Sequence, residues 1–189
     1  MADKVQYGMV IDTTRCMGCQ TCVVSCKVSN QTPEGLYWGR VRSRDGEIVY
    51  QATGTFPDAK LAFRPELCNH CESPACLAKC PAGAIEKRED GAVVVNEEAC
   101  IGCGTCAVAC PYEIPQVDEA AKKASKCTLC HERIAVGEQP WCVLSCPGKA
   151  RIFGDLGDPA SDVSKYIAEK KAVPFHEEFG TGPSVYYVM

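Results

Sequence analysis

Aromatic residues make up only 7% of this 189-residue chain, with five Phe, two Trp and seven Tyr. A large apolar core is therefore not expected to hold it together by itself. Long hydrophobic runs are missing too. The longest, such as Ala92 to Val95, are strand-sized and far below the ~18 residues that cross a bilayer, so direct membrane insertion is not expected. Neither charge sign dominates: 20 Lys+Arg face 24 Asp+Glu, which leaves no basic footprint for nucleic acid. Met1 to Gln6 hold no apolar h-region and no twin arginine, so the chain is expected to carry no export signal of its own. No nucleophile–base pair, phosphate loop or open metal site stands out, and substrate chemistry on this chain is not expected. The length suits one compact domain, or two small ones sharing a core.

What the chain has in excess is cysteine, sixteen in all. They fall into four sets of four, with none left over. Motif one, Cys16, Cys19, Cys22 and Cys26, is spaced C-x2-C-x2-C-x3-C. Motif two, Cys68, Cys71, Cys76 and Cys80, is spaced C-x2-C-x4-C-x3-C. Motif three, Cys100, Cys103, Cys106 and Cys110, repeats the spacing of motif one. Motif four, Cys127, Cys130, Cys142 and Cys146, has eleven residues before its last pair. Pro81, Pro111 and Pro147 follow the last cysteine of three motifs, and Lys27 takes that place in motif one.

A cubane cluster needs four thiolates converging on its irons, and a short loop with cysteines three apart can wrap three corners. The C-x2-C-x2-C-x3-C-P run is the mark of two-cluster ferredoxins, in which the last cysteine of each motif serves the other site. That cysteine is expected at the start of a helix, pointing to the neighbouring cluster. Gly18, Gly102, Gly104 and Thr105 are small enough for backbone amides to approach the sulfides. The competing chemistries fit less well. A disulfide framework would require strained bridges between cysteines too close in sequence. Zinc ribbons use two C-x2-C pairs with a long spacer, which suits motif four but not four cysteines in eleven residues. The expected cofactors are four [4Fe–4S] clusters, standing in for part of the missing core.

Along the chain this reads as an α+β fold: duplicated two-cluster, bacterial-ferredoxin-like modules of short strands, cluster loops and short helices, plus an insert and a C-terminal tail. Tyr7 to Asp12 alternates like a strand running into motif one. Trp38 to Arg44 and Glu47 to Gln51 flank Asp45-Gly46, a hairpin signal. Ala84 to Glu89, Asp90-Gly91 and Ala92 to Asn96 make a second hairpin leading into motif three. A helix is expected around Asp162 to Lys171, then an extended end. The organisation expected is an outer module, first part, at 1–55; a central module at 56–126; the second part of the outer module at 127–157; and a tail at 158–189 for partner contact. If the motifs pair in this nested way, Cys110 completes the site of motif two and Cys80 that of motif three. Cys146 then joins motif one and Cys26 joins motif four.

Several segments carry a family resemblance: Tyr7-Gly8 with Ile11-Asp12, Cys68-Asn69-His70-Cys71-Glu72, and Lys87-Arg88-Glu89-Asp90-Gly91. They continue with Cys100-Ile101-Gly102-Cys103, Cys110-Pro111-Tyr112, Pro115-Gln116, Lys126-Cys127, Arg133, Cys146-Pro147 and Phe153-Gly154. Over roughly residues 5 to 157 the chain resembles the four-cluster iron–sulfur subunit of the molybdopterin oxidoreductases, most of all that of dimethyl sulfoxide reductases. The resemblance implies nested pairing and hence four ligand sets: Cys16, Cys19, Cys22 and Cys146; Cys127, Cys130, Cys142 and Cys26; Cys68, Cys71, Cys76 and Cys110; Cys100, Cys103, Cys106 and Cys80. Some relatives replace one cysteine of motif three, but Cys103 is present here, so four cubanes are expected. Relatives in respiratory formate dehydrogenases add a C-terminal membrane helix, whereas here any membrane contact is expected to fall to another subunit.

The resemblance further implies electron relay to a large subunit holding a molybdenum or tungsten bis-pterin, with a membrane anchor or soluble carrier as donor. The first ligand set is expected at the large-subunit interface, and the Cys68 set towards the far side. A prokaryotic setting is implied, either extracytoplasmic by co-export with a signal-bearing partner or cytoplasmic. The competing class is a free-standing polyferredoxin; the insert from Lys27 to Leu67 and the cysteine-free tail look instead like surface for holding a subunit. Other conspicuous residues have ordinary explanations. His70 and His131 are expected beside the ligands without ligating, and Arg133 in a structural ion pair. Trp141 is expected to shield a cluster from water, and Lys122, Lys123 and Lys126 to form a solvated face.

Overall fold

The computed structural model describes residues 5–43 and 52–189. In chain order the first elements are β1 (Tyr7–Asp12), α1 (Thr21–Ser29), β2 (Gly39–Ser43), β3 (Phe63–Leu67), α2 (Ala75–Ala78), β4 (Ile85–Lys87), β5 (Val93–Val95) and α3 (Thr105–Ala109). Then come β6 (Gln116–Asp118), β7 (Lys123–Ser125), α4 (His131–Ala135), α5 (Trp141–Leu144), β8 (Arg151–Asp155), α6 (Asp162–Lys170), β9 (Val173–Pro174) and β10 (Val185–Val188). The fold is mixed α+β, with short elements joined by cysteine-bearing loops.

The strand expected at Tyr7–Asp12 lies inside a four-stranded sheet of order β8-β1-β10-β9. β1 pairs antiparallel with β8 and parallel with β10. Alternation along β1 serves two cores, because successive side chains face opposite sides of a sheet. Met9 and Ile11 pack with Leu67, Tyr187 and the thiols of Cys68 and Cys127. Val10 faces the other way, onto Val163 of α6. Ser161 caps α6 by accepting the Ser164 N–H at 3.2 Å, satisfying one of the amides that a helix start leaves without a partner. Three two-stranded hairpins, β2–β3, β4–β5 and β6–β7, complete the scaffold.

The tail does more than cover a surface. β10 inserts between β1 and β9, with Val185 and Tyr187 buried. Residues just before it clamp motif two: the Glu72 and Ser73 amides donate to the carbonyls of Gly182 and Thr181, and the Ser184 amide donates to that of Asn69. The hairpin expected at residues 84–96 is present as β4–β5, and the expected helix near residue 162 is α6. β2 finds its partner in β3. The turn at Asp45-Gly46 and the strand expected at Glu47 to Gln51 lie outside the described residues.

Two expectations are corrected. The last cysteine of a motif does not open a helix. The third cysteine does, since Cys22, Cys76, Cys106 and Cys142 are each the second residue of their helices. The fourth lies near or past the helix end, except Cys26, which α1 runs through. One helical turn is the shortest path that carries the backbone from one site to the next. The second correction concerns Lys126, which is buried and not part of a solvated face. It follows β7 directly into motif four, and its ammonium donates to the Val93 and Cys127 carbonyls.

The residue before the second cysteine of each motif has a left-handed backbone: Gly18 (φ 70), His70 (φ 42), Gly102 (φ 67) and Leu129 (φ 61). Glycine is needed where space is also closed. A Cβ on Gly18 would meet the Phe63 ring at 2.5 Å, and one on Gly102 would meet the Lys122 carbonyl oxygen at 2.3 Å. His70 and Leu129 are instead held by burial, and the Val93 N–H donates to His70 Nδ1 at 3.0 Å. For Gly102→Ala the left-handed backbone alone costs roughly 1–2 kcal/mol, and the Lys122 clash adds to it. The variant is expected to melt at lower temperature and to lose iron from motif three first. Unchanged melting and iron content would contradict this turn geometry.

Candidate metal centres

Thirteen of the sixteen cysteines line three cavities. Cys68, Cys71, Cys76 and Cys110 line one of them, together with Lys126, Tyr112 and Thr181. Cys80, Cys100, Cys103 and Cys106 line a second. A third is lined by five cysteines, Cys22, Cys26, Cys127, Cys130 and Cys142. In the remaining group Cys22 and Cys146 act electrostatically on Cys16, while Cys19 is exposed. Cys26, Cys110 and Cys80 thus each line a cavity with cysteines of another motif, and Cys146 acts on Cys16.

Electrostatics follow the same grouping. Burial pushes the Cys76 thiol up to about 12, and Cys68, Cys110 and Cys71 add to the effect. Burial also raises Cys71 to about 11, with Thr181 opposing and Cys68 and Cys110 reinforcing. Cys26 rises to about 12 through burial and then through Cys142 and Cys130. Cys106 rises through burial, opposed by the Ala107 amide and reinforced by Cys100 and Cys103. Cys127 is raised by burial, then by Cys26 and by Cys68. The last contact links two groups, Cys22 acts on Cys142, and Cys76 shares a core cluster with Cys100 and Cys106, so the order is the Cys16 group, the Cys26 group, the Cys68 group and the Cys80 group. That order puts the Cys80 group, and not the Cys68 group, at the end opposite Cys16.

Hydrogen bonds hold the thiols in place. Cys80 and Cys146 each accept the backbone N–H four residues on, from Ala84 and Ala150, at 3.3 Å, and the Ile114 amide does the same for Cys110. In these three motifs proline follows the cysteine, stopping the helix and freeing that amide for sulfur. Motif one has Lys27 instead, and α1 continues, so the Asn30 amide N–H bonds the Cys26 carbonyl. The Asn30 side chain takes over, donating from Nδ2 to Cys26 Sγ at 3.5 Å, with Oδ1 3.9 Å from Cys130 Sγ. The exposed thiols Cys19 and Cys103 are lowered by the hydroxyl and then the amide of Thr21 and Thr105 respectively.

Residues singled out in the sequence fall beside these groups. His70 is buried, and burial followed by the Lys126 and Lys87 charges holds it neutral, well below its ordinary range. Arg133 forms the expected ion pair, with Glu138 at 2.7 Å, and lies 3.8 Å over the Trp141 ring. Trp141 lines a groove that also reaches Cys130. Three other residues beside the thiols are not singled out by the sequence: Asn30, Arg151 and Thr181. Of these only Asn30 had a local clue, the missing proline after Cys26.

The donor set fits iron–sulfur clusters. Every group is made of thiols, whose mutual repulsion and burial disfavour thiolates unless a cation joins them. Cluster assembly therefore has to release protons. A charged-group hydrogen bond such as that from Asn30 to a thiolate contributes roughly 1.5–3 kcal/mol. Asn30→Leu should accordingly release iron to a chelator about tenfold faster than the parent. Equal release rates would show that Asn30 has no part in holding Cys26.

Comparison with known proteins agrees with this chemistry. The family described as 4Fe-4S dicluster domain matches residues 59–156, and a 4Fe-4S binding domain matches residues 13–29. The sequence is similar to the B subunits of several reductases. That of tetrathionate reductase from Salmonella typhimurium is 40% identical, over 97% of this chain and 72% of the relative. That of polysulfide reductase from Wolinella succinogenes is 38% identical, over 100% of this chain and 95% of its own length. That of anaerobic dimethyl sulfoxide reductase from Escherichia coli is 44% identical, over 81% of this chain and 75% of the relative. No described helix is long and apolar enough to cross a membrane. With cysteine groups of this kind and relatives of this identity over nearly its whole length, the protein belongs to the family of iron–sulfur B subunits of the molybdopterin reductases, which transfer electrons through 4Fe–4S clusters.

Proposed function

We propose that this chain relays electrons one at a time through a row of four 4Fe–4S clusters, between a donor and a catalytic subunit holding a molybdenum or tungsten bis-pterin. The observation that carries the reading is the row of four cysteine groups, each adjoining the next. Site 1 is held by Cys16, Cys19, Cys22 and Cys146. Site 2 is held by Cys127, Cys130, Cys142 and Cys26, site 3 by Cys68, Cys71, Cys76 and Cys110, and site 4 by Cys100, Cys103, Cys106 and Cys80. Sites 1 and 2 make up the outer module, residues 1–55 and 127–157. Sites 3 and 4 make up the central module, residues 56–126, with the tail at 158–189 bracing site 3. A bound cluster accepts and gives up single electrons, and the two-electron chemistry belongs to the pterin partner.

The chain's own residues exclude water from the ligands, orient the thiols and offer surfaces at both ends of the row. Near site 1, Met17, Val24, Val28 and Leu144 are exposed apolar side chains, and α1 packs against α5. Near site 4, Ile101 and Val108 are exposed, Val108 by 90%. Such patches on loops that hold redox ligands suit subunit docking, with the catalytic subunit at site 1 and the donor at site 4. A membrane anchor or soluble carrier fills the donor's place. The place of work is the extracytoplasmic face of the membrane or the cytoplasm, according to how the catalytic partner is exported.

Cys146→Ser in the assembled complex tests both the pairing and the relay. Site 1 should lose its electron paramagnetic resonance (EPR) signal while sites 2, 3 and 4 still reduce chemically, and donor-driven turnover should fall by at least about a hundredfold, as expected when a relay is interrupted. Loss of the site 2 signal in its place would reverse the pairing. Full donor-driven turnover without site 1 would contradict the relay.

A further inference from the structure

Arg151 opens β8 beside Ile11 of β1, and its side chain runs inward beneath the sheet. The residue is 6% exposed. One guanidinium nitrogen, Nη1, donates to Met9 Sδ at 3.5 Å and Cys142 Sγ at 3.8 Å. The other, Nη2, donates to Cys22 Sγ at 3.5 Å. Among the described residues it has no ion pair with any carboxylate. A buried charge without a counterion is strongly disfavoured, so its counterion has to be the thiolates themselves. Those two thiolates belong to different sites.

We propose that Arg151 is the shared positioning residue of sites 1 and 2: one guanidinium bonds a thiolate of each cluster and raises the reduction potentials of both together. The inference rests on the ligand sets proposed above. Four thiolates and four sulfides outweigh the iron charge, so a ligated cluster is a net anion and gains one further negative charge on reduction. A fixed cation nearby stabilises the reduced form more than the oxidised one, and N–H···S bonds act in the same direction. The planar fork of arginine can serve two acceptors at once, and it stays protonated in any environment of a protein. A lysine there could reach one sulfur or the other. Because the two couples shift together, the potential step between sites 1 and 2 is left unchanged while both move up relative to site 4, where Lys123 bonds the Cys100 carbonyl and not a sulfur.

Redox titration of the full complex, followed by EPR at each site, tests this. Arg151→Met is expected to keep its iron and to lower the potentials of sites 1 and 2 by about a tenfold change in each reduction equilibrium, or about 59 mV for a one-electron couple, leaving site 4 unmoved. Arg151→Lys should fall between, with one of the two sites less shifted than the other. An iron-replete Arg151→Met protein whose four potentials match the parent's would overturn the proposal. If that variant loses iron, Arg151→Lys decides: iron restored with intermediate potentials supports a charge role, and an equally iron-poor lysine variant overturns it. A parent complex with fewer than four clusters would count against the ligand sets, and is read separately from the parent's own iron content.

Discussion

Sixteen thiols placed in and around a thin interior are the constraint on which the rest of this structure depends. A neutral thiol is tolerated there as a small apolar group, but a set of four ionised thiolates is not, since burial and mutual repulsion both raise their pKa values. The raised values of Cys26, Cys71, Cys76 and Cys127 express that conflict. Iron resolves it by bringing positive charge to each group, and ligation then becomes part of folding. The low aromatic content is the other side of the same fact: Cys68 and Cys127 occupy core positions beside Met9, Ile11 and Tyr187.

The backbone serves that chemistry with one device used four times. A left-handed residue makes the turn between the first two cysteines, and the third sits in the first turn of a short helix. The fourth is passed on to the next group. Where Pro81, Pro111 and Pro147 end the helix, a main-chain amide reaches the sulfur; where Lys27 lets it continue, Asn30 supplies a side-chain amide. Two different local sequences thus meet the same need for a donor at the crossing cysteine. In the proposed pairing the crossing also makes the sites a contiguous row, since in each motif a short helix holds the third cysteine and carries the chain to the fourth, ligands of two neighbouring groups.

The parts legible in the sequence were those written in local spacing. The four motifs, the strand at Tyr7–Asp12, the hairpin around Asp90-Gly91 and the helix after Ser161 all show in the pattern of neighbouring residues, although the strand's partners are distant. The unread parts depend on contacts between distant segments. β10 pairs with β1 across most of the sequence, and Thr181 reaches Cys71 only because that pairing brings the tail back. Lys126 reads as a surface cation, and Arg151 carries no local mark, until the fold turns them inward onto carbonyls and sulfurs respectively. The helix position of the fourth cysteine was misjudged because spacing fixes the distance between ligands and not which of them meets the helix start.

The claim that unites fold, burial and function is that every cysteine is a cluster ligand. Iron and acid-labile sulfide, measured per chain on anaerobically purified complex with the partner's contribution subtracted, test it most directly. Four thiolates per cubane predict about sixteen of each. A value near twelve, or zinc in stoichiometric amount, would contradict the account.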